Sequence, residues 1–312
     1  TTKIGEKIMP STHDYKDDKR NNNIQVYLNG QFYHRSKANI SVMDSGFLLG
    51  DGVWEGIRLY KNVLIHLEDH LSRLYFGAKS ISMEIPLSKK ELKLAILETI
   101  KKNNMETNVH IRLIVSRGIK KTPYQNPKVT ISPPTIVIIP EYKKASDDVK
   151  KNGITIGTVK TIRDDRVQDP KINSLSKHNC IAACIEANKL GVDEGLMLDP
   201  HGFVSTCNST NFFIVKNSEV WTSTGQYCLN GVTRKSVIRL CKQYNISVHE
   251  RNFSLEDVRC SEELFVTGTF AGVIPVISVD NIIIGDGTRG KITKSLQDWY
   301  SLDLENLVIQ NE

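Results

Sequence analysis

Cysteine is scarce in this chain, and long apolar runs are missing altogether. All six cysteines, Cys180, Cys184, Cys207, Cys228, Cys241 and Cys260, fall in the second half of the sequence. They lack the close spacing of a small disulfide-stapled secreted scaffold and read as reduced thiols of a cytoplasmic protein. Cys180 and Cys184 stand four apart on an expected helix, but no His or Cys pair follows at finger spacing, so no metal site is expected. No apolar stretch approaches the roughly 18 residues that a membrane span requires, and the start has no signal-type apolar run, so no membrane partner is expected. The net charge of +6 favours contact with anions. The basic residues are scattered and form no dense block, which argues against nucleic acid as a partner. There is no internal repeat.

What is present is an ordinary globular composition, 39% hydrophobic and 24% charged over 312 residues. That length exceeds what one hydrophobic core usually covers, so two domains are expected. Residues 1–24 are polar and Asn-rich and read as a flexible N-terminal extension with nothing to bury; within it, residues 14–18 (DYKDD) look like part of an epitope tag. A small α+β domain is expected over 25–143. It opens on a hairpin signalled by Asn29-Gly30 inside an alternating run, continues with a strand pair over 53–67 turning at Lys61-Asn62, and carries helices over 68–80 and 91–102. Strands at 109–115 and 135–139 complete it. The charged, apolar-poor stretch EYKKASDDVKKN places a linker at 144–151, and 152–312 forms the larger domain. There the pattern predicts strands at 154–159, 194–198, 212–215 and 263–266, and helices at 179–190 and 234–244.

Three stretches carry a resemblance: MDSGFLLGDGVWEGIRLY (43–60), CIEANKLGVDEGLMLDPHGFVSTCNSTNFFIV (184–215) and ELFVTGTFAGVIPV (263–276), with LNGVTR at 229–234. In this order they resemble the class IV aminotransferases, including the branched-chain and D-amino-acid enzymes. The resemblance implies a two-domain α+β or α/β protein of fold type IV, with pyridoxal 5'-phosphate (PLP) as cofactor and an amino acid and a 2-oxo acid as substrates. It also implies a homodimer. PLP carries a dianionic phosphate that needs a fixed cation and oriented amides. By resemblance Arg73 is that cation, and Gly231, Val232, Thr233, Gly268 and Thr269 supply amide and hydroxyl contacts, the whole converging at the seam of the two domains. Leu49 and Trp54 match pocket-wall positions. Arg112 matches a position near the substrate carboxylate, His110 stands where branched-chain enzymes often have Tyr, and Phe270 and Ala271 fall in the same substrate group. Without the family context, Arg73 would read as a helix surface charge, the glycines as turn residues and Trp54 as core.

At two places the chain departs from the pattern. The lysine that bonds the cofactor aldehyde and moves the Cα proton aligns with Asn173, whose amide cannot form that bond. Lys171 lies two residues earlier, on the same face if the strand is regular, and Lys177 four residues later at the start of a helix, where branched-chain enzymes commonly place a Tyr near the cofactor's phenolic oxygen. Lys177 is the preferred replacement. The acidic residue that faces the pyridine nitrogen aligns with Thr206, whose hydroxyl leaves that nitrogen largely neutral. Three readings follow: a transaminase acting between an apolar or branched-chain amino acid and 2-oxoglutarate; a PLP-binding lyase, racemase or specialised enzyme on the same fold; and a non-catalytic relative.

Overall fold

The computed structural model describes Thr12 and residues 17–311. Among the described residues the chain divides into two compact units. One takes residues 17–144, 170–177 and 302–311; the other takes Thr12, 145–169 and 178–301.

In the first unit the alternating runs become strands β1 (Gln25–Leu28), β2 (Gln31–His34), β3 (Gly52–Tyr60), β4 (Val63–Leu64), β5 (Val109–Ser116) and β6 (Thr135–Tyr142), with helices α1 (Ser45–Leu49), α2 (Leu67–Ser80) and α3 (Lys89–Lys102). The strands form one antiparallel sheet in the order β2-β1-β6-β5-β3-β4. Asn29 and Gly30 both take positive φ, which the tight β1–β2 turn demands. Helix α3 starts on a capping box in which Ser88 and Glu91 satisfy each other's backbone N–H groups. Helix α2 places Leu67, Leu71, Leu74 and Ala78 on one stripe, all buried in the core that covers the sheet. Full burial of each leucine contributes about 2 kcal/mol, so Leu71→Ala should cost roughly 2–5 kcal/mol.

The second unit holds α4 (Asp147–Asn152), β7 (Ile154–Thr158), α5 (His178–Leu190), β8 (Glu194–Leu198), β9 (Val204–Cys207), β10 (Asn211–Lys216), β11 (Glu219–Thr222), α6 (Val232–Gln243), β12 (Val248–Glu250), α7 (Leu255–Arg259), β13 (Glu263–Gly268), β14 (Gly272–Val279), β15 (Ile282–Ile283) and the start of α8 (Lys291–Ile309). Its sheet runs β12-β11-β10-β13-β14-β7-β8-β9, with β15 beside β14. Pairing is parallel at β11/β12, β14/β7 and β7/β8 and antiparallel elsewhere. Near-continuous apolar strands such as β10 and β13 are buried on both faces.

Three expectations need correction. The stretch read as a linker contains α4, because Ala145 and Val149 fall four apart and both enter the core, while Asp147 and Asp148 open the helix and Lys150 and Lys151 close it in the sense its dipole favours. The extension read as having nothing to bury is held at two points. Asn21 is buried, accepts from the Tyr142 N–H at 2.7 Å and donates to the Tyr142 carbonyl at 2.9 Å. Thr12 is buried with its hydroxyl on Glu194. Residues 1–11 and 13–16, most of the tag-like run among them, lie outside the described residues. Finally, Lys171 sits in a turn and not on a regular strand, so the two-residue face argument does not apply to it. No described helix is long and apolar enough to cross a membrane.

Candidate active site

Strand β3 presents alternate residues to opposite sides of its sheet. Glu55 points to the α2 side and is fully buried. Its Oε1 accepts from Arg73 Nε at 2.8 Å and its Oε2 from Arg73 Nη2 at 2.7 Å, while His70 Nδ1 lies 2.7 Å from Oε2. Arg73 and His70 lie three apart on α2, one helical turn, and so meet the same carboxylate. Burial works against ionisation of Glu55, but Arg73 and His70 outweigh it and hold its carboxyl below the ordinary range. Arg73 is therefore no surface charge: its side chain is 13% exposed and locked in a bidentate fork.

Trp54 looks the other way. Register pairs Gly56 with Arg112 and Arg58 with His110, which leaves Arg112 diagonal to Trp54. The Arg112 guanidinium lies 4.1 Å from the Trp54 ring centre. Gly56 leaves room for His110, since an added Cβ would come within 2.8 Å of His110 Nε2. Burial, opposed by Glu141 and assisted by Arg112, draws the Lys143 ammonium below its usual range. The indole Nε1 of Trp54 is buried without a hydrogen-bond partner among the described residues.

Beside the start of β3, paired edge to edge with it, runs the segment 173–177. The Trp54 N–H donates to the Asn173 carbonyl at 3.0 Å, Ser174 bridges to Val53, and the Leu175 N–H donates to the Gly52 carbonyl at 3.0 Å. Asn173 is buried. Lys177, the residue before α5, turns back so that its Nζ donates to Asn173 Oδ1 at 3.0 Å and lies 5.3 Å from the Trp54 ring centre. Lys177 thus brings an amine to within hydrogen-bond distance of the Asn173 side chain. Leu49 ends α1 and is 43% exposed; Gly50, which follows it in the left-handed region, packs on the Ser176 backbone.

The second unit carries the remaining candidates. Gly231 is the N-cap of α6 and offers no side-chain cap, so the first-turn amides, those of Val232 and Thr233 among them, have no side-chain acceptor from that position. An added Cβ at Gly231 would strike Asn211 Oδ1 at 2.2 Å, and Asn211 is itself tied to the Leu229 carbonyl at 2.8 Å. Gly268 ends β13, and Thr269, Phe270 and Ala271 form the turn into β14. Phe270 and Ala271 are buried in the core of this unit. The neighbouring Thr267 hydroxyl is buried without a partner among the described residues. Thr206 is buried on β9, and its hydroxyl donates to the Thr210 carbonyl at 2.6 Å.

Sequence reasoning passed over Glu55, His70 and Glu194. Glu194 is fully buried and accepts from the hydroxyls of Thr12, Ser209 and Thr210, the last two at 2.7 Å. Burial holds its carboxyl above the ordinary range despite those donors. The signals were the lone acid in VWEGIRLY, the Glu that opens the apolar run EGLML and the His three before Arg73; charged residues amid apolar runs need a buried partner.

A PLP phosphate needs hydrogen-bond donors, and in the second unit the start of α6, which has no side-chain cap, and the Thr267 hydroxyl, which has no partner among the described residues, can supply them. The aldehyde needs an amine, which Lys177 brings beside Asn173. The residues fit the cofactor.

The comparisons agree. The sequence matches the class IV amino-transferase family over residues 52–279. A protein of Methanocaldococcus jannaschii named among the branched-chain-amino-acid aminotransferases is 40% identical, over 89% of this chain and 95% of that protein. A D-alanine aminotransferase of Listeria monocytogenes is 31% identical over 89% of this chain and 95% of its own. Among solved structures, a branched-chain amino acid aminotransferase of Escherichia coli superposes with a TM-score of 0.83 at 27% identity, covering 90% of this chain and 94% of that one. The chain belongs to the class IV aminotransferases and is a PLP-dependent transaminase of that family.

Proposed function

We propose that this transaminase moves the amino group between an apolar or branched-chain amino acid and a 2-oxo acid such as 2-oxoglutarate, with Lys177 as its reactive amine. The observation that carries the reading is the 3.0 Å contact of Lys177 Nζ with Asn173 Oδ1. PLP, when bound, supplies an aldehyde carbon that takes the amino group and a ring that draws electrons from it. Every other task falls to side chains. Arg73, neutralised and aimed by Glu55, would hold the phosphate, a role for which the second unit's candidates are the amides at 231–233 and the groups at Gly268 and Thr269. Lys177 would hold the cofactor through its aldehyde carbon and, once the substrate amine has displaced it, would remove and return the proton at the substrate Cα. Lys171 is the second choice for that amine. Arg112, with His110 beside it, receives the substrate carboxylate, and Leu49 and Trp54 wall the pocket. Phe270 and Ala271 are the substrate-contact candidates of the second unit.

The cationic lining favours an anionic acceptor such as 2-oxoglutarate, whose second carboxylate would otherwise lose its hydration unpaired. Thr206 would stand in the acid's place toward the pyridine nitrogen, with its own proton engaged by the Thr210 carbonyl.

Exposed Val42, Phe47 and Ile131, between 65% and 70% accessible, support assembly as a homodimer. The free state of all six cysteines supports a reducing, cytoplasmic setting. The test mixes PLP-loaded protein with leucine and follows 2-oxo acid release, with and without 2-oxoglutarate. Turnover that requires the acceptor and disappears in Lys177→Ala is expected. Ammonia release without an acceptor would replace this reading with elimination chemistry.

A further inference from the structure

The geometry points to Asn173 as a positioning residue that aims Lys177 without locking it as a cation; this rests on the proposal that Lys177 is the reactive amine. A lysine side chain has about 2 kcal/mol of rotamer entropy to lose when it is fixed. Ordering Lys177 therefore needs a partner that does not itself move. Asn173 meets that need. It is 5% exposed, its carbonyl is held by the Trp54 N–H, and its neighbours Ser174 and Leu175 are pinned to β3 at Val53 and Gly52. The amide oxygen is thus a fixed acceptor 3.0 Å from Nζ, and the indole face gives the amine a second contact at 5.3 Å.

The choice of side chain matters chemically. An aspartate at 173 would hold Nζ by opposite charge and favour the ammonium form, which is not nucleophilic. An apolar residue would leave Nζ free to swing away. A neutral amide accepts from either protonation state and favours the charged form only weakly. Arg112 stands at the same ring, its guanidinium 4.1 Å from the Trp54 centre. An uncharged acceptor at 173 therefore aims the amine without adding a counter-charge of its own.

The experiment needs neither turnover nor cofactor. Full-length protein without PLP is pulse-labelled with an amine-directed acylating reagent across a pH series, and Lys177 and Lys171 are quantified by peptide mass spectrometry. In Asn173→Asp the Lys177 midpoint should rise by about one pH unit, a roughly tenfold slower labelling at fixed pH below it. In Asn173→Ala it should fall, with labelling about threefold faster. Lys171 should keep one midpoint in all three proteins. Asn173→Ser, which retains an acceptor, should fall between wild type and Ala, and it carries the test if Ala does not fold. Equal Lys177 midpoints in folded wild type, Asp and Ser or Ala variants would overturn the proposal. A separate reduction of PLP-loaded protein that marks a lysine other than Lys177 would instead remove the assignment of the reactive amine and leave this order of midpoints standing.

Discussion

Both carboxylate oxygens of Glu55 accept from the Arg73 guanidinium, at 2.8 Å from Nε and 2.7 Å from Nη2, inside a core where Glu55 itself has no exposure to solvent. Such a fork is worth little beyond its desolvation cost while intact, and a great deal once one partner is removed. Glu55→Ala should lower the unfolding free energy by about 3–5 kcal/mol in urea titrations, because Arg73 loses its bidentate carboxylate in a largely buried setting. A loss below about 1 kcal/mol would mean that Arg73 can reach solvent.

The two buried acids should give opposite pH signatures. The folded state holds Glu55 below the ordinary carboxyl value of 4.5, so its contribution is complete above that value and fades as pH falls through the lower folded one. Glu194 is raised above 4.5, so the folded form keeps its proton longer than the unfolded one, and stability contributed there declines as pH rises from 4.5 through the raised value. Denaturant titrations of Glu55→Gln and Glu194→Gln, from acid below the ordinary carboxyl value up to neutral pH, read this directly. The first should flatten the acid-side loss, and the second should flatten the decline toward neutrality.

Trp54→Phe separates packing from hydrogen bonding. The ring keeps its place beside Arg112, and the buried Nε1, which has no partner among the described residues, is removed. Stability should stay within about 0.5 kcal/mol of wild type or rise, since no hydrogen bond is lost. KM for the amino acid should rise severalfold if the indole N–H contacts substrate. Unchanged KM would return Trp54 to the role of wall residue.

Thr206→Val removes a donor from the Thr210 carbonyl at nearly constant volume. The carbonyl then loses that partner in a buried setting, which should cost about 1–3 kcal/mol by chemical denaturation. Thr206→Ser should restore most of it.

Much of the fold was legible because its signals are local. The Asn29-Gly30 turn, the α2 stripe of Leu71, Leu74 and Ala78, and the alternation of β5 each fix an element within a few residues. The helix at 147–152 was hidden because only Ala145 and Val149 mark its buried side, too few for a periodic pattern. Helix α8 went unassigned, although Leu296, Tyr300, Leu304 and Val308 repeat at four-residue spacing and are all buried. At the site, the sequence supplied Arg73, Asn173 and Lys177 as separate residues. It did not supply the Glu55 fork, nor the turn at 171–172 that takes Lys171 off a strand, because both depend on how segments distant in sequence meet in the fold.

The position of the reactive amine is settled most directly by chemistry at one atom. PLP-saturated protein is reduced with borohydride, digested and mapped for the lysine that carries the phosphopyridoxyl group. Modification of Lys177, lost in Lys177→Ala, is the expected result. A group found on Lys171 instead, or reduction that leaves Lys177 unmodified, would contradict it.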